Sequence, residues 1–388
     1  MKTSITIFLL FIILSASAQK NSTQQIEYQI INKLRLLQAQ DEGPFVKGGF
    51  GSFREYRLKP GRFKRDRNVF FTALVLMTLR ELYPALSEPS RKVADSIIAD
   101  AIPSFKRFKN QKGRPTFNFW STNPPEIFPE GGFLNLYNES RALPDDMDCT
   151  SISLMALNED DSIAEQVHRI MQDFVNDGKK KSMPAVMPLG SRPVYSTWFG
   201  KKMAVEFDAS VLCNVETMVH QYRLPLTAAD SATLQYLADI IEHDHHLKDP
   251  LKTSPNYATP AIILYHYSRL MKSGQISALE NFREKMARQA DSLYRLSDNL
   301  VEKMMLSTAL LRWGRMAPKD TISIKSSLVS AIMESRFVFF IANLGTGFPD
   351  GWKHELASGL PGRFNYYCPA YDLVLALENL IESRKQND

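Results

Sequence analysis

An alternation of two kinds of helical segment runs along most of this chain and constrains its fold more than any other feature. Apolar residues recur at the spacing of an α-helix, three or four residues apart, in about twelve segments. The predicted helices cover Gln25–Leu37, Val69–Leu82, Arg91–Phe108, Thr150–Leu157, Ile163–Phe174, Val211–Tyr222, Ala228–Ile241, Thr259–Met271, Ala278–Leu293, Val301–Trp313, Ile322–Phe337 and Tyr371–Ile381. No convincing set of alternating strand segments accompanies them, so the sequence predicts an all-α protein.

The predicted helices divide into a strongly apolar class and a more charged, amphipathic class, and the two classes alternate. An apolar helix is buried on most sides, whereas an amphipathic helix faces water on one side. An inner ring of apolar helices inside an outer ring of amphipathic ones satisfies both requirements, which predicts an (α/α)6 toroid of about six helical hairpins. An open solenoid of helix pairs is the alternative. The irregular spacing of the segments and the lack of a repeat consensus favour the closed ring.

The N-terminal residues have the pattern of an export signal. Lys2 is followed by the apolar run Ile5–Leu14 and by Ala16-Ser17-Ala18, which is typical of a cleavage site. No later apolar run is long enough to cross a membrane. We therefore expect residues 1–18 to be a signal peptide cleaved near Ala18 and residues 19–388 to form one domain. The mature chain, without a transmembrane segment, is expected to be periplasmic or secreted.

Composition excludes some partners and leaves others open. The formal net charge of +5 is a weak bias that predicts no nucleic-acid partner. Basic residues nevertheless crowd one predicted loop, at Arg54, Arg57, Lys59, Arg62, Lys64, Arg65 and Arg67. A solvated loop is the favoured interpretation, and a contact for an anionic lipid, glycan or phosphate is the alternative. Cys149, Cys213 and Cys368 lie in or beside apolar helical patterns and are predicted to be buried thiols.

Three carboxylates at one predicted helix start form the candidate catalytic group. Asp145, Asp146 and Asp148 follow Pro144 and precede an apolar run, which is typical of a helix N-terminus. The helix dipole stabilises carboxylates there, but neighbouring like charges repel, so we expect one of the three to hold a proton at neutral pH. A protonated carboxylic acid is a proton donor. The alternative is an N-cap with ordinary first-turn acids.

The predicted ring directs the N-termini of its inner helices toward one end of a central cavity. Long connections precede several of these helices, at residues 109–144, 176–207 and 342–363, and long ordered loops usually build a site. They carry Trp120, Trp198 and Trp352. The residues predicted to contact a ligand are Trp120, Cys149, Asp208, Asn214, Tyr257, Tyr366 and Tyr367. For most of them, ordinary core packing or a satisfied polar network is the alternative.

Two stretches carry the resemblance to a known family: Phe117-Asn118-Phe119-Trp120 and the segment from Leu143 to Ser151. They resemble the start of an inner helix in the terpenoid cyclase-like α/α toroids. Class II cyclases carry the motif Asp-x-Asp-Asp-Thr-Ala, and residues 146–151, Asp-Met-Asp-Cys-Thr-Ser, fit it with Cys in place of the last Asp. The Asp-Cys-Thr version is similar to that of oxidosqualene cyclases.

The resemblance implies that Asp148 is the general acid that protonates an alkene or epoxide, tuned by Asp145, Asp146 and Cys149. Protein prenyltransferase β-subunits share the toroid and bind zinc through an Asp, Cys and His set. Asp208, Cys213 and His220 do not reproduce that spacing. The histidine-rich stretch at residues 243–246 is interpreted as a solvated helix end, so neither a metal nor another cofactor is predicted.

Three functional hypotheses follow. The first is a terpenoid cyclase-like enzyme that uses Asp148 on a small apolar ligand in the central cavity. The second is a glycan-active (α/α)6 hydrolase or lyase, which the carboxylates and the tryptophans of the long connections favour. The third is a non-catalytic exported binding protein. Aromatic and aliphatic cavity walls favour the first hypothesis, and polar walls with flat tryptophan platforms favour the second.

Overall fold

The computed structural model describes residues 23–132, 136, 142–200, 203–316, 318, 327–348 and 351–386. The predicted signal peptide, residues 1–18, lies outside the described residues. Within them the elements follow in the order α1 (residues 23–37), β1 (Ser52–Tyr56), β2 (Phe63–Asp66), α2 (Phe70–Leu82), α3 (Glu88–Ala101), α4 (Met147–Leu157), α5 (Asp161–Met171), α6 (Ala209–Gln221), α7 (Ala228–Glu242), α8 (His245–Lys248), α9 (Pro250–Thr253), α10 (Pro260–Ser273), α11 (Ser277–Glu280), α12 (Arg283–Leu296), α13 (Leu300–Arg312), α14 (Leu328–Glu334), β3 (Phe340–Asn343), α15 (Gly351–Ser358), β4 (Arg363–Tyr367) and α16 (Pro369–Lys385).

Six apolar helices contact one another in a closed series: α2, α4, α6, α10, α13, α16 and again α2. Most residues of each helix are inaccessible to solvent, because each helix buries its apolar surface against its neighbours in the series. Side-chain caps fix several of the helix starts: Asp146 for α4, Asp208 for α6, Thr259 for α10 and Asn299 for α13. More polar helices pack outside the series, such as α7 against α6 and α12 against α13.

A four-stranded antiparallel sheet in the order β2-β1-β4-β3 contradicts the predicted all-α fold class. In β1, Phe53 pairs with Tyr367 of β4, while Arg54 pairs with Lys64 of β2. The sheet was not predicted from the sequence because its strands are only four or five residues long. Segments this short show too few alternations to be distinguished from loops. The basic run from Arg54 to Arg67, predicted as a loop, is the β1–β2 hairpin.

Two other predicted helices have different boundaries in the structure. The predicted helix Ile322–Phe337 is represented among the described residues by α14 alone, and Phe337 belongs to the extended segment before β3. The predicted helix Arg91–Phe108 divides into α3 and a 3-10 segment that starts beside Pro103. All three cysteines are buried and free, as predicted. No helix in the described part of the chain is both long enough and apolar enough to cross a membrane.

Candidate active site

A cavity of about 370 Å³ lies where the N-terminal ends of α4 and α6 face β3 and the turn that follows it. Aromatic and aliphatic side chains form most of its wall, and two carboxylic acids interrupt them. The lining consists of Phe119, Trp120, Ile127, Phe128, Leu143, Asp146, Asp148, Cys149, Thr197, Trp198, Val211, Asn256, Phe340, Ala342, Asn343, Leu344, Thr346, Gly347 and Phe348. A volume near the lower end of the usual range for ligand sites, roughly 300–1,000 Å³, suits a small ligand.

Asp148 lies in the first turn of α4, with 4% of its surface exposed. Its Oδ1 accepts a hydrogen bond of 2.8 Å from the side-chain amide of Asn214, and its Oδ2 accepts one from the Tyr257 hydroxyl. Burial raises the pKa of Asp148 to about 7, although both hydrogen bonds favour the charged form. The Asp148 carboxyl is therefore protonated in weakly acidic solution and stabilised by two donors once it has lost its proton.

Asp146 caps α4 and lines the same cavity. Its Oδ1 accepts a 2.6 Å hydrogen bond from the backbone N–H of Cys149. Burial and the nearby charge of Asp148 raise the pKa of Asp146 well above its ordinary value, and hydrogen bonds from the Cys149 backbone and thiol oppose this only in part. Because the two acids titrate as a pair, we expect them to retain at least one proton at neutral pH.

Asp145, the third predicted acid, is not part of the cavity lining. Its Oδ2 accepts hydrogen bonds from the side chains of Asn110, Arg114 and Thr116, at 2.5, 3.1 and 2.5 Å. The Arg114 contact is also an ion pair. These bonds tie the segment before α4 to the connection at residues 110–116. The structure thus separates Asp145 from the other two acids and gives it a role in holding the helix start.

The predicted ligand contacts are distributed between the cavity wall and the layer behind it. Trp120 and Cys149 line the cavity. Asn214 and Tyr257 are buried behind Asp148 and contact its carboxyl, so they are positioning residues. Asp208 caps α6 and accepts hydrogen bonds from the backbone N–H groups of residues 210, 211 and 256 and from the Ser254 hydroxyl. Asp208 holds the segment before α10 against α6 and lies outside the cavity lining.

Tyr366 and Tyr367 were predicted to contact a ligand in the cavity, and the structure corrects this. Both belong to β4, and their side chains point to opposite faces of the sheet because consecutive strand residues alternate. The Tyr366 hydroxyl donates to Asp66 at 3.4 Å, and the Tyr367 hydroxyl donates to Glu55 at 2.7 Å. Neither side chain is part of the cavity lining.

Glu206 is a buried acid beside the cavity that was not predicted from the sequence. Its Oε2 accepts a 2.6 Å hydrogen bond from the Thr346 hydroxyl and another from the indole N–H of Trp198. Burial raises the pKa of Glu206 to about 7 against these two donors. The signal that could have indicated a buried acid was its position between two apolar residues, Val205 and Phe207. Phe340 was missed because the strand β3 was not predicted, and Phe348 was missed because only Trp352 was singled out in the connection at residues 342–363.

No protein-family model and no curated protein sequence matches this chain. Its function must therefore be inferred from the geometry of the site. Within the described ranges, no group of three or more histidine, cysteine, aspartate or glutamate side chains is placed to hold a metal ion. At residues 243–246, His246 hydrogen-bonds to Gln289 and Asp244 pairs with Lys285. What the cavity offers is a proton held by buried carboxyl groups within an apolar, aromatic wall.

Replacing Tyr257 by Phe is expected to raise the pKa of Asp148 by about one further unit. The hydroxyl stabilises the charged carboxylate, and a hydrogen bond to a charged group contributes about 1.5–3 kcal/mol, or one to two pKa units. Infrared spectra recorded across the pH range, with Asp148→Asn as the subtraction reference, follow the carboxylic acid band directly. Tyr267→Phe is the matched control, because its buried hydroxyl donates to the Leu237 carbonyl instead. An unchanged Asp148 titration in Tyr257→Phe would contradict this assignment.

Proposed function

We propose that this protein is an enzyme that transfers a proton from Asp148 to a carbon–carbon double bond or an epoxide of a small apolar ligand. The observation that carries the proposal is the pair Asp146 and Asp148, both buried with raised pKa values, in the wall of an aromatic-lined cavity. General acids work best when their pKa lies near the operating pH. The similarity of residues 146–151 to the acid motif of class II terpenoid cyclases supports the same chemistry.

Proton transfer from Asp148 begins the proposed reaction. With an alkene, the π electrons form a C–H bond to the departing proton and the other carbon becomes a cation. With an epoxide, the ring oxygen takes the proton as one C–O bond breaks. Asp148 becomes a carboxylate that Tyr257 and Asn214 stabilise. The aromatic lining offers π faces that stabilise a cation. A neighbouring double bond of the ligand attacks the cation to close a ring, and loss of a proton ends the sequence and restores the acid.

The wall of the cavity favours this proposal over a glycan-active enzyme. A sugar ring presents many hydroxyl groups, and burying them without hydrogen bonds is costly. Most of the lining here is aromatic or aliphatic. Trp120 and Trp198 point their indole N–H groups at Asp66 and Glu206 within the protein. Glycosidic cleavage needs a second carboxyl group opposite Asp148, and the predicted ligand contact Asp208 is engaged in four internal hydrogen bonds instead.

Product formation in deuterated water tests the proposal. Purified protein is incubated with geraniol, farnesol, squalene and oxidosqualene, and extracts are analysed by gas chromatography with mass spectrometry. We expect at least one substrate to give an isomerised or cyclised product that carries deuterium from the solvent. Asp148→Asn should give no product above the level without enzyme. Asp239→Asn, which removes a carboxylate from the outer helix α7, should remain active.

Two outcomes would count against the proposal. Equal product from wild type and Asp148→Asn would show that Asp148 is not the acid. Tight binding of these ligands without any product would favour the non-catalytic binding protein instead.

A further inference from the structure

Large apolar side chains are exposed at regular intervals in the segment that follows β3. Leu344, Phe348, Trp352, Leu356 and Leu360 lie four residues apart and are between 39% and 72% exposed. Trp352 and Leu356 are one turn apart on α15 and therefore share a face. The other three tryptophans of the chain are at most 9% exposed, whereas Trp352 is 72% exposed. Large apolar side chains exposed this close together along the chain are typical of an interaction site.

This surface continues into the wall of the candidate active site. Leu344 and Phe348 belong both to the exposed series and to the cavity lining. Helix α15 packs on the 3-10 turns at residues 344–347 and 360–362, which hold the series together. The exposed apolar residues therefore lie beside the cavity, and two of them also line it.

The basic β1–β2 hairpin adjoins the same segment. The Tyr56 hydroxyl donates to the Pro361 carbonyl at 2.9 Å, and the Arg57 backbone N–H donates to the Arg363 carbonyl at 3.3 Å. Beyond this contact Arg57, Lys59 and Arg62 are exposed, and they form no ion pair with any residue that the structure describes. Positive charge thus borders the apolar series without a neutralising partner in the described chain.

We propose that this interfacial face, formed by the apolar series Leu344, Phe348, Trp352, Leu356 and Leu360 with the hairpin cations Arg57, Lys59 and Arg62, binds the surface of an anionic lipid bilayer. Tryptophan and leucine side chains enter the boundary between headgroups and acyl chains, while basic side chains attract anionic headgroups. The three cations favour a lipid surface over a second copy of this chain. A two-fold contact between two copies would place the same cations on both sides, where they repel one another. The proposal does not depend on the chemistry assigned to Asp148.

Binding to lipid vesicles tests this face with the full-length chain. Vesicles of phosphatidylcholine alone are compared with vesicles that also contain phosphatidylglycerol. Each basic residue near an anionic surface contributes about 1 kcal/mol, roughly a fivefold change, so the wild type should partition at least about tenfold more strongly into the anionic vesicles. The variants Trp352→Ser/Leu356→Ser and Arg57→Gln/Lys59→Gln/Arg62→Gln should each lose at least about tenfold in partitioning.

Matched controls separate binding by the interfacial face from non-specific hydrophobic adsorption and from any contribution of residues 1–22. Leu36→Ser/Leu296→Ser removes two leucines that are each 78% exposed on α1 and α12, and it should bind as the wild type does. Every variant retains residues 1–22, so their contribution is the same throughout. Brominated lipids should quench the fluorescence of Trp352, and that quenching should be absent from Trp352→Ser. Circular dichroism verifies that each variant is folded.

Three results would overturn the proposal. The first is wild-type binding that does not depend on anionic lipid. The second is equal loss in Leu36→Ser/Leu296→Ser. The third is a lipid-free dimer, measured by light scattering, that Trp352→Ser/Leu356→Ser abolishes, which would assign the face to a second copy. None of these results bears on product formation by Asp148, so failure here is distinguishable from failure of the proposed reaction.

Discussion

The Asp148→Asn variant is expected to be more stable than the wild type at pH 8 and to lose this advantage below pH 4. The pKa of Asp148 is 3.8 in an ordinary environment and about 7 in the folded protein. The folded state therefore binds the proton more tightly, and stability falls as the pH rises from about 4 to 7. A shift of this size corresponds to a cost on the order of 4 kcal/mol above pH 7. Asparagine stays neutral and does not incur that cost.

Chemical denaturation of both proteins at several pH values measures the effect. The difference in free energy of unfolding between Asp148→Asn and wild type should grow between pH 4 and 7 and level off above pH 8. Titrating groups that do not interact with Asp148 cancel in this difference, whereas Asp146 contributes to it, because the charge of Asp148 raises the pKa of Asp146. Asp239→Asn serves as the comparison, because it removes a partly exposed carboxylate paired with Arg192. A difference that is independent of pH would show that Asp148 ionises normally in the folded protein.

The Asp66→Ala variant is expected to lose about 3–5 kcal/mol of stability, the usual cost of leaving one member of a buried ion pair without its partner. Asp66 is fully buried and pairs with the buried Arg54 at 2.6 Å. Asp66 also accepts hydrogen bonds from the indole N–H of Trp120 and the hydroxyl of Tyr366. One carboxylate thus joins β2 to β1, β4 and the cavity wall, and its removal leaves several buried donors without an acceptor.

Glu130→Ala provides the contrast, because it removes an exposed partner of the same hairpin. Glu130 pairs with Arg65, and both side chains are substantially exposed. Exposed pairs of this kind contribute about 0–1 kcal/mol. Denaturant titration of the two variants should therefore separate them by several-fold in the loss of unfolding free energy. Similar losses in both would mean that the Asp66 network is replaced by water or by rearranged side chains.

The helical part of the fold was largely predictable because each apolar helix carries its own periodic signal. The apolar runs at Val69–Leu82 and Val301–Trp313 correspond to α2 and α13 with small shifts at their ends. The sheet was not predictable in the same way. Its central pair joins β1, near the beginning of the chain, to β4, near its end. Each strand has only a few residues and gains its stability from a distant partner, which local periodicity does not reveal.

The candidate site was predictable where it coincides with a helix start. Asp146 and Asp148 stood out because acids cluster before an apolar run, and the structure places both in the cavity wall. Asp145 was predicted with them, because sequence spacing does not show which direction a side chain takes before the helix begins. Tyr366 and Tyr367 were predicted to contact a ligand because they precede the last predicted helix, but the residues before α16 form the strand β4. Glu206 was missed because two apolar neighbours in a connection are too short a pattern to indicate a buried acid.

The pairing of β1 with β4 has a consequence for how the molecule folds. Residues about three hundred positions apart must meet before this pair can form, and such non-local contacts form slowly. Much of the cavity wall comes from β3 and the turn after it, and Tyr366 of β4 packs on Phe119 and Phe340 of that wall. The acids on α4 thus acquire their apolar surroundings only after the last quarter of the chain has joined the rest. We expect the raised pKa values to emerge late in refolding, together with the sheet.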